Sequence, residues 1–160
     1  MTISVGDAVP AVSIQQATPE GAQGLDTAEF FAGKTVVLFG VPGAFTPTCS
    51  AKHLPGFVTQ AAALKAKGVD AIACMAVNDP FVMAAWAKDQ GITGQVVMIA
   101  DGSAAFTKAL GLELDLTARG LGVRCQRFAL IARDGKVAHV AVEAPGGFEV
   151  STAEAILAAL

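Results

Sequence analysis

Short apolar runs alternate along this chain with stretches of helical periodicity, and that alternation predicts its elements. Residues 35–40, Thr-Val-Val-Leu-Phe-Gly, read as a strand. Residues 69–77 and 96–100 are continuous apolar runs of the kind found when both faces of a sheet are covered. Between them lie helical patterns with punctuated ends. Asp26 and Glu29 are spaced like a capping box for a short helix over 26–31. A helix is predicted from Cys49 to about Lys67, stopped by Gly68, with a kink at Pro55-Gly56. Asn78-Asp79-Pro80 starts another that Gly91 ends, and Asp101-Gly102 precedes a short one reaching Leu110. Before the first helix only an extended stretch, 7–14, is legible. After Leu110, a Gly-containing loop over 111–122 leads into a strand over 123–132. Arg133-Asp134-Gly135-Lys136 turns this into a second strand, 137–142. Ser151 and Glu154 are spaced as a capping box for the last helix. The order is βαβαβα followed by ββα. That predicts an α/β sheet with parallel central strands, a closing hairpin and a terminal helix.

The 160 residues suit one domain, 1–160, with a core of its own. No apolar run approaches the ~18 residues of a membrane helix. The first residues lack the basic and apolar regions of a signal peptide, so the expected compartment is the cytoplasm. Net charge is −3 with scattered Lys and Arg, which argues against a nucleic-acid partner. The three cysteines, Cys49, Cys74 and Cys125, form no CxxC pair, and there are two histidines, His53 and His139. A disulfide scaffold and a zinc site are both disfavoured. Gly33-Lys34-Thr35 resembles the end of a phosphate loop but precedes its strand rather than following it.

The chemistry concentrates at Pro42-Gly43-Ala44-Phe45-Thr46-Pro47-Thr48-Cys49, directly after the first strong strand. Thr46 suits an N-cap and Pro47 the first helical position, which puts Cys49 in the first turn, among unpaired backbone donors at the positive end of the dipole. Cys49 therefore reads as a nucleophile. A helix terminus stabilises an anion by only ~0.3–1 kcal/mol. A hydrogen bond to a charged group contributes ~1.5–3 kcal/mol. Further donors must then converge on the sulfur, and the family resemblance given next points to Arg127, followed by Arg124, as the candidate.

With those residues placed, the chain resembles the peroxiredoxins of the type 5 (type II) subfamily. The resemblance rests on the Pro-x-x-x-Thr-x-x-Cys core of residues 42–49 and its continuation Lys52-His53-Leu54-Pro55-Gly56-Phe57. Val77-Asn78-Asp79-Pro80-Phe81-Val82-Met83 and Gly122-Val123-Arg124-Cys125-Gln126-Arg127-Phe128 extend it. It implies a thioredoxin-like fold, a central mixed β-sheet flanked by helices with an N-terminal extension. It also implies a cofactor-free thiol peroxidase acting on hydrogen peroxide and organic hydroperoxides. By position, Cys49 would be the peroxidatic cysteine, passing through a sulfenic acid. Thr46 would offer its hydroxyl to the peroxide, Pro42 would shield the pocket, and Arg127 would be the pocket arginine, with Gly43 and His53 as further pocket residues. No cysteine follows Cys125, where some members carry a resolving one. The implied cycle thus uses one cysteine and an external thiol, glutathione with glutaredoxin or, second, thioredoxin. A homodimer is implied as well.

Two rivals stay open. A thioredoxin-type dithiol oxidoreductase needs a cysteine where Thr46 stands. A redox sensor or relay would use the same oxidisable Cys49 without turnover. Cys74 reads as core. Cys125 reads as inert, or as resolving or regulatory if a regular strand puts it on the face of Arg127. His53 reads as a pocket-rim, dimer or merely exposed residue, and Arg124 as pointing away from Arg127 or anchoring the preceding loop. His139 is expected at the surface, and Trp86 in packing or at an interface.

Overall fold

The computed structural model describes residues 1–160. Its centre is a seven-stranded mixed sheet. The strands are β1 (Ser13–Thr18), β2 (Gly21–Asp26), β3 (Thr35–Gly40), β4 (Ala71–Ala76), β5 (Val97–Ala100), β8 (Phe128–Arg133) and β9 (Lys136–Val142), in the order β2-β1-β5-β4-β3-β8-β9. The middle strands β3, β4 and β5 are parallel, whereas β8 joins β3 and β1 joins β5 antiparallel. The remaining strands, β6 (Glu113–Leu116) and β7 (Gly122–Cys125), form a separate two-stranded ribbon. The helices are α1 (Thr27–Phe31), α2 (Leu54–Thr59), α3 (Ala61–Ala66), α4 (Pro80–Asp89), α5 (Ala105–Leu110) and α6 (Ala153–Ala159). This is the expected mixed sheet flanked by helices. No helix is long and apolar enough to cross a membrane.

The unbroken apolar runs of β3, β4 and β8 are explained by cover on both faces. Val37, Phe39, Cys74, Ala129 and Ile131 enter one core together with Cys49, Phe57, Trp86 and Ile156. Val36, Leu38, Ala73, Met75, Phe128 and Leu130 enter the other with Phe31, Phe106 and Cys125. Each fully buried large side chain, Trp86, Phe39 and Phe57 among them, contributes ~1.5–3 kcal/mol by leaving water.

The departures from the expected elements have local causes. The β1–β2 hairpin lies over and beyond the predicted extended stretch. Its sequence, Ser-Ile-Gln-Gln-Ala-Thr then Gly-Ala-Gln-Gly-Leu-Asp, buries only Ile14 and Leu25 and so carries almost no alternating signal. The loop over 111–122 contains β6 and a 3-10 turn, Thr117–Arg119. The strand expected over 123–132 is two strands in two sheets, interrupted at Gln126 and Arg127.

The helix predicted from Cys49 is also segmented. Cys49–His53 is a π-helical turn closed by Leu54 N–H on the Cys49 carbonyl. The next residue, Pro55, lacks an N–H, and in an α register its ring would press on the carbonyl four residues back. The wider turn relieves that conflict. The break comes at Gln60 rather than at Pro55-Gly56. At the last helix the cap is Thr152, whose hydroxyl accepts from Ala155 N–H, and not Ser151. Asp26 and Asp79 do cap α1 and α4 through their carboxylates.

Candidate active site

Residues 42–49 pass from the end of β3 to the start of the helical segment. Gly43 O accepts from Thr46 N–H at 3.3 Å, closing a tight turn with Phe45 at φ 65°, a left-handed conformation uncommon for a residue with a side chain. Two contacts hold the turn, and a third fixes the arginine that makes one of them. Ala44 N–H donates to Asn78 Oδ1 at 2.9 Å, Arg124 Nη1 donates to Pro42 O at 3.2 Å, and Arg124 Nε donates to Leu121 O at 2.8 Å. Arg124 therefore anchors a loop, the second of its two readings, and it ties β7 to the turn before Cys49. A Cβ at Gly43 would lie 2.5 Å from Arg124 Nη1, so glycine is what admits that anchor. Helical backbone starts at Pro47, after Thr46, whose carbonyl receives Ser50 N–H at 3.0 Å.

Cys49 is fully buried, and its sulfur receives two side-chain donors. Thr46 Oγ1 lies 2.8 Å away and Arg127 Nη2 3.2 Å away. The Thr46 hydroxyl also lies 2.7 Å from Gly43 O, so two acceptors share its single proton. Arg127 reaches across from the break between β7 and β8. That break frees its side chain from a ladder position and carries Cys125 into the opposite core. The premise that Cys125 and Arg127 share a regular strand face does not hold.

His53 is 1% exposed and sits deep inside the site, not on an open rim. Its Nε2 lies 2.9 Å from Ser151 O, an acceptor only, so Nε2 carries the proton. Nδ1 is then a lone pair and accepts from Arg127 Nη1 at 2.8 Å. Burial first and the neighbouring Arg127 guanidinium second lower the His53 pKa from 6.5 to about 3, outweighing the Ser151 bond and Glu143. His53 is accordingly neutral. Phe39, Phe57 and Phe148 surround its ring at centroid distances of 4.8, 5.6 and 5.1 Å. The guanidinium itself lies 5.8 Å over Phe148.

Two site features were not read from the sequence. Trp86 Nε1 donates to Ser50 Oγ at 3.0 Å, linking α4 to the residue after Cys49. Glu143 accepts from the Glu149, Val150 and Ser151 N–H groups and from the Ser151 hydroxyl. A carboxylate beside a glycine-containing loop was the available cue for the second, but its partners lie six to eight residues onward. Cys74 and Cys125 are both buried, and burial pushes both thiols up. His139 is half-buried on β9. No group of three or more His, Cys, Asp or Glu side chains is placed to hold a metal ion.

A deeply placed cysteine receiving an arginine and a threonine hydroxyl is arranged to develop and hold negative charge on sulfur and on an oxygen bound to it. Comparison with known proteins agrees with that chemistry. The Redoxin family model matches residues 4–157. The chain is a peroxiredoxin. It is 54% identical to Peroxiredoxin-2B of Arabidopsis thaliana over 99% of this chain and 98% of the relative. The reduced Prx3 of Vibrio vulnificus in complex with hydrogen peroxide superposes with a TM-score of 0.94 at 54% identity, covering 99% of each chain. Peroxiredoxin 5 from Alvinella pompejana gives 0.86 at 36% identity, covering 98% of this chain and 97% of that one. As a peroxiredoxin the chain is a thiol-dependent peroxidase with a thioredoxin-like α/β fold.

Proposed function

We propose that this peroxiredoxin, of the type 5 subfamily, reduces hydrogen peroxide and organic hydroperoxides in a one-cysteine cycle at Cys49, regenerated by glutathione with glutaredoxin. The observation that carries the reading is the convergence of Thr46 Oγ1 and Arg127 Nη2 on one buried sulfur, at 2.8 and 3.2 Å. The Cys49 sulfur attacks the nearer peroxide oxygen, an S–O bond forms and the O–O bond breaks. The leaving oxygen departs with a proton as water or an alcohol, and Cys49 is left as a sulfenic acid. Arg127 stabilises the charge passing to the leaving oxygen, and its rigid fork can serve sulfur and oxygen together. Thr46 donates to the sulfur at rest. When its proton turns to Gly43 O, its lone pairs face the incoming peroxide O–H. Pro42 and Gly43 shape the turn that shields this pocket.

A glutathione thiolate then attacks the Cys49 sulfur, water leaves, and a mixed disulfide forms. A second thiol, delivered by glutaredoxin, releases Cys49 and completes a disulfide of the two reductant sulfurs. Two observations support external over internal resolution. Cys125 packs in the opposite core, and both Cys74 and Cys125 have thiols pushed up by burial. No metal or organic cofactor enters the cycle. Three free thiols suit a reducing compartment such as the cytoplasm. Phe45, next to Ala44, and Phe81, three residues past Asn78, are 51% and 77% exposed and offer apolar surface suited to a homodimer.

The test is peroxide consumption by the reduced protein with glutathione plus glutaredoxin, and separately with the thioredoxin system, using Cys49→Ser as the blank. Many turnovers with glutathione, lost in the blank, are expected. Turnover with thioredoxin alone would replace the reductant. A single stoichiometric burst with neither would indicate a sensor or relay. After one equivalent of peroxide without thiol, peptide mapping should find oxygen added to Cys49. A disulfide from Cys49 to either other cysteine would overturn the one-cysteine cycle.

A further inference from the structure

Glu143 stands outside the pocket, yet a closed ring of hydrogen bonds joins it to the site. At its backbone, Glu143 N–H donates to Arg127 O at 2.9 Å, so the two residues are paired along the main chain. At its side chain, Oε2 accepts from Ser151 N–H at 2.7 Å and from the Ser151 hydroxyl at 2.6 Å. Oε2 also receives Glu149 N–H and Val150 N–H, each at 2.9 Å, and Oε1 receives Glu149 N–H at 3.0 Å. Three consecutive amides thus fold around one carboxylate, and Ser151 is fixed in position. The Ser151 carbonyl then takes the His53 Nε2 proton, His53 Nδ1 takes an Arg127 proton, and Arg127 returns to its own backbone bond with Glu143.

We propose that Glu143 is a positioning residue for peroxide reduction. By pinning Ser151 it holds His53 as the Nε2–H tautomer, and His53 in turn aims the second Arg127 nitrogen at Cys49 Sγ.

Each link is directional. Arg127 has only donors, so His53 can hold it only through a lone pair on Nδ1. That lone pair exists only while the ring's one proton sits on Nε2, which the Ser151 carbonyl selects. If the loop swings away, Nε2–H loses its acceptor, and the ring is free to turn or to take the other tautomer, in which Nδ1–H would face the guanidinium and repel it. Arg127 then leaves the sulfur even though neither it nor Cys49 has changed. Burial works against the Glu143 carboxylate's charge, yet its bonds to the Ser151 hydroxyl and the three amides hold its pKa below the usual value. The carboxylate is therefore a fixed anion. Ser151 is fully buried and Glu143 8% exposed, so water is a poor substitute for either partner.

The proposal rests on the peroxidase reading of Cys49, and the experiment separates the two. Second-order peroxide reduction is measured for wild type, Glu143→Gln, His53→Gln and the double variant, with Cys49→Ser as blank. The His53 ring is followed in parallel by nitrogen-resolved NMR. Glu143→Gln should slow peroxide reduction at least tenfold in the wild-type background and less than threefold when His53 is already Gln. His53 should lose its protected Nε2–H signal in Glu143→Gln. Equal effects in both backgrounds, or a slowed reaction with the Nε2–H signal intact, would overturn the proposal. Should Glu143→Gln not fold, Ser151→Ala carries the same cycle. It keeps the three amide bonds and removes one donor, with about threefold expected in wild type and none with His53→Gln. No peroxide reduction above the Cys49→Ser blank would sink the peroxidase reading itself, and the NMR arm would still decide whether Glu143 sets the His53 tautomer.

Discussion

Cys49 and Cys125 make an instructive pair. Both are fully buried, and they lie in the two cores on opposite sides of one sheet. Around Cys49 the chain spends a tight turn, a π-helical turn and a break between two strands to deliver a hydroxyl and a guanidinium to the sulfur. Cys125 sits beside Phe128 and Gly40, with its S–H directed to Gln126 O at 3.1 Å, and burial pushes its thiol up. Burial is common to both, so it cannot be what makes a thiol reactive. Donors aimed at the charged form separate them, and a buried donor of that kind is worth more than the same bond in water.

The largest break in this contrast should come from Arg127→Met, which keeps an unbranched apolar stem and removes the guanidinium with its charge and donors. Losing one preorganised donor at a developing anion costs about 10²–10³ in rate. Stopped-flow peroxide reduction should show that loss, and a rate within tenfold of wild type would deny Arg127 its part. Thr46→Val removes the other donor. A bond to a charged group costs at least ~1.5 kcal/mol when lost, so about a tenfold slowing is expected.

A smaller effect concerns stability and belongs only to the Cys49 side. His53 titrates at 6.5 in the unfolded chain but at about 3 when folded. Above pH 6.5 both states leave it neutral, and it adds no pH dependence. Between pH 6.5 and about 3 the unfolded state alone binds the proton, so stability falls as pH falls, by up to ~1.4 kcal/mol per pH unit from this group. Glu143, held below its ordinary value, adds a loss in the same direction only below about pH 4.5. Urea midpoints should therefore stay nearly level from pH 7.5 to 6.5 and drop by pH 5.5 for wild type, and stay nearly level throughout for His53→Gln. Parallel slopes would remove the buried, neutral histidine from the account.

The smallest effect sharpens the contrast from the other side. Cys125→Ala should leave the peroxide rate within twofold and lower stability by about 1 kcal/mol, as a small core truncation does. The decisive observation is the rate, because a large loss there would give Cys125 a part that its position does not suggest.

Much of the sheet was legible because β3, β4, β5 and β8 are buried on both faces, and only continuous apolar sequence can fill such positions. The same sequence placed Cys49 at a helix start, since Thr46, Pro47 and the preceding strand act within a few residues of it. The β1–β2 hairpin was not legible, because polar and small side chains at a sheet edge need no alternation. Nor was the break at Gln126-Arg127, for Arg124-Cys125-Gln126-Arg127-Phe128 reads as one extended run. That break decided which cysteine Arg127 meets.

By itself the sequence determined the α/β order and a cysteine at a helix start, because propensity and caps are local, while the family resemblance singled out the threonine and arginine that the structure places against its sulfur. Tertiary structure alone decided that His53 is buried and neutral, that Arg124 anchors the turn, and that Glu143 closes a ring through Ser151, His53 and Arg127. Those outcomes depend on hydrogen-bond direction between groups as far apart as His53 and Ser151, which lie 98 residues from each other. No local pattern encodes such a meeting. It exists only once the strands and the last loop have packed.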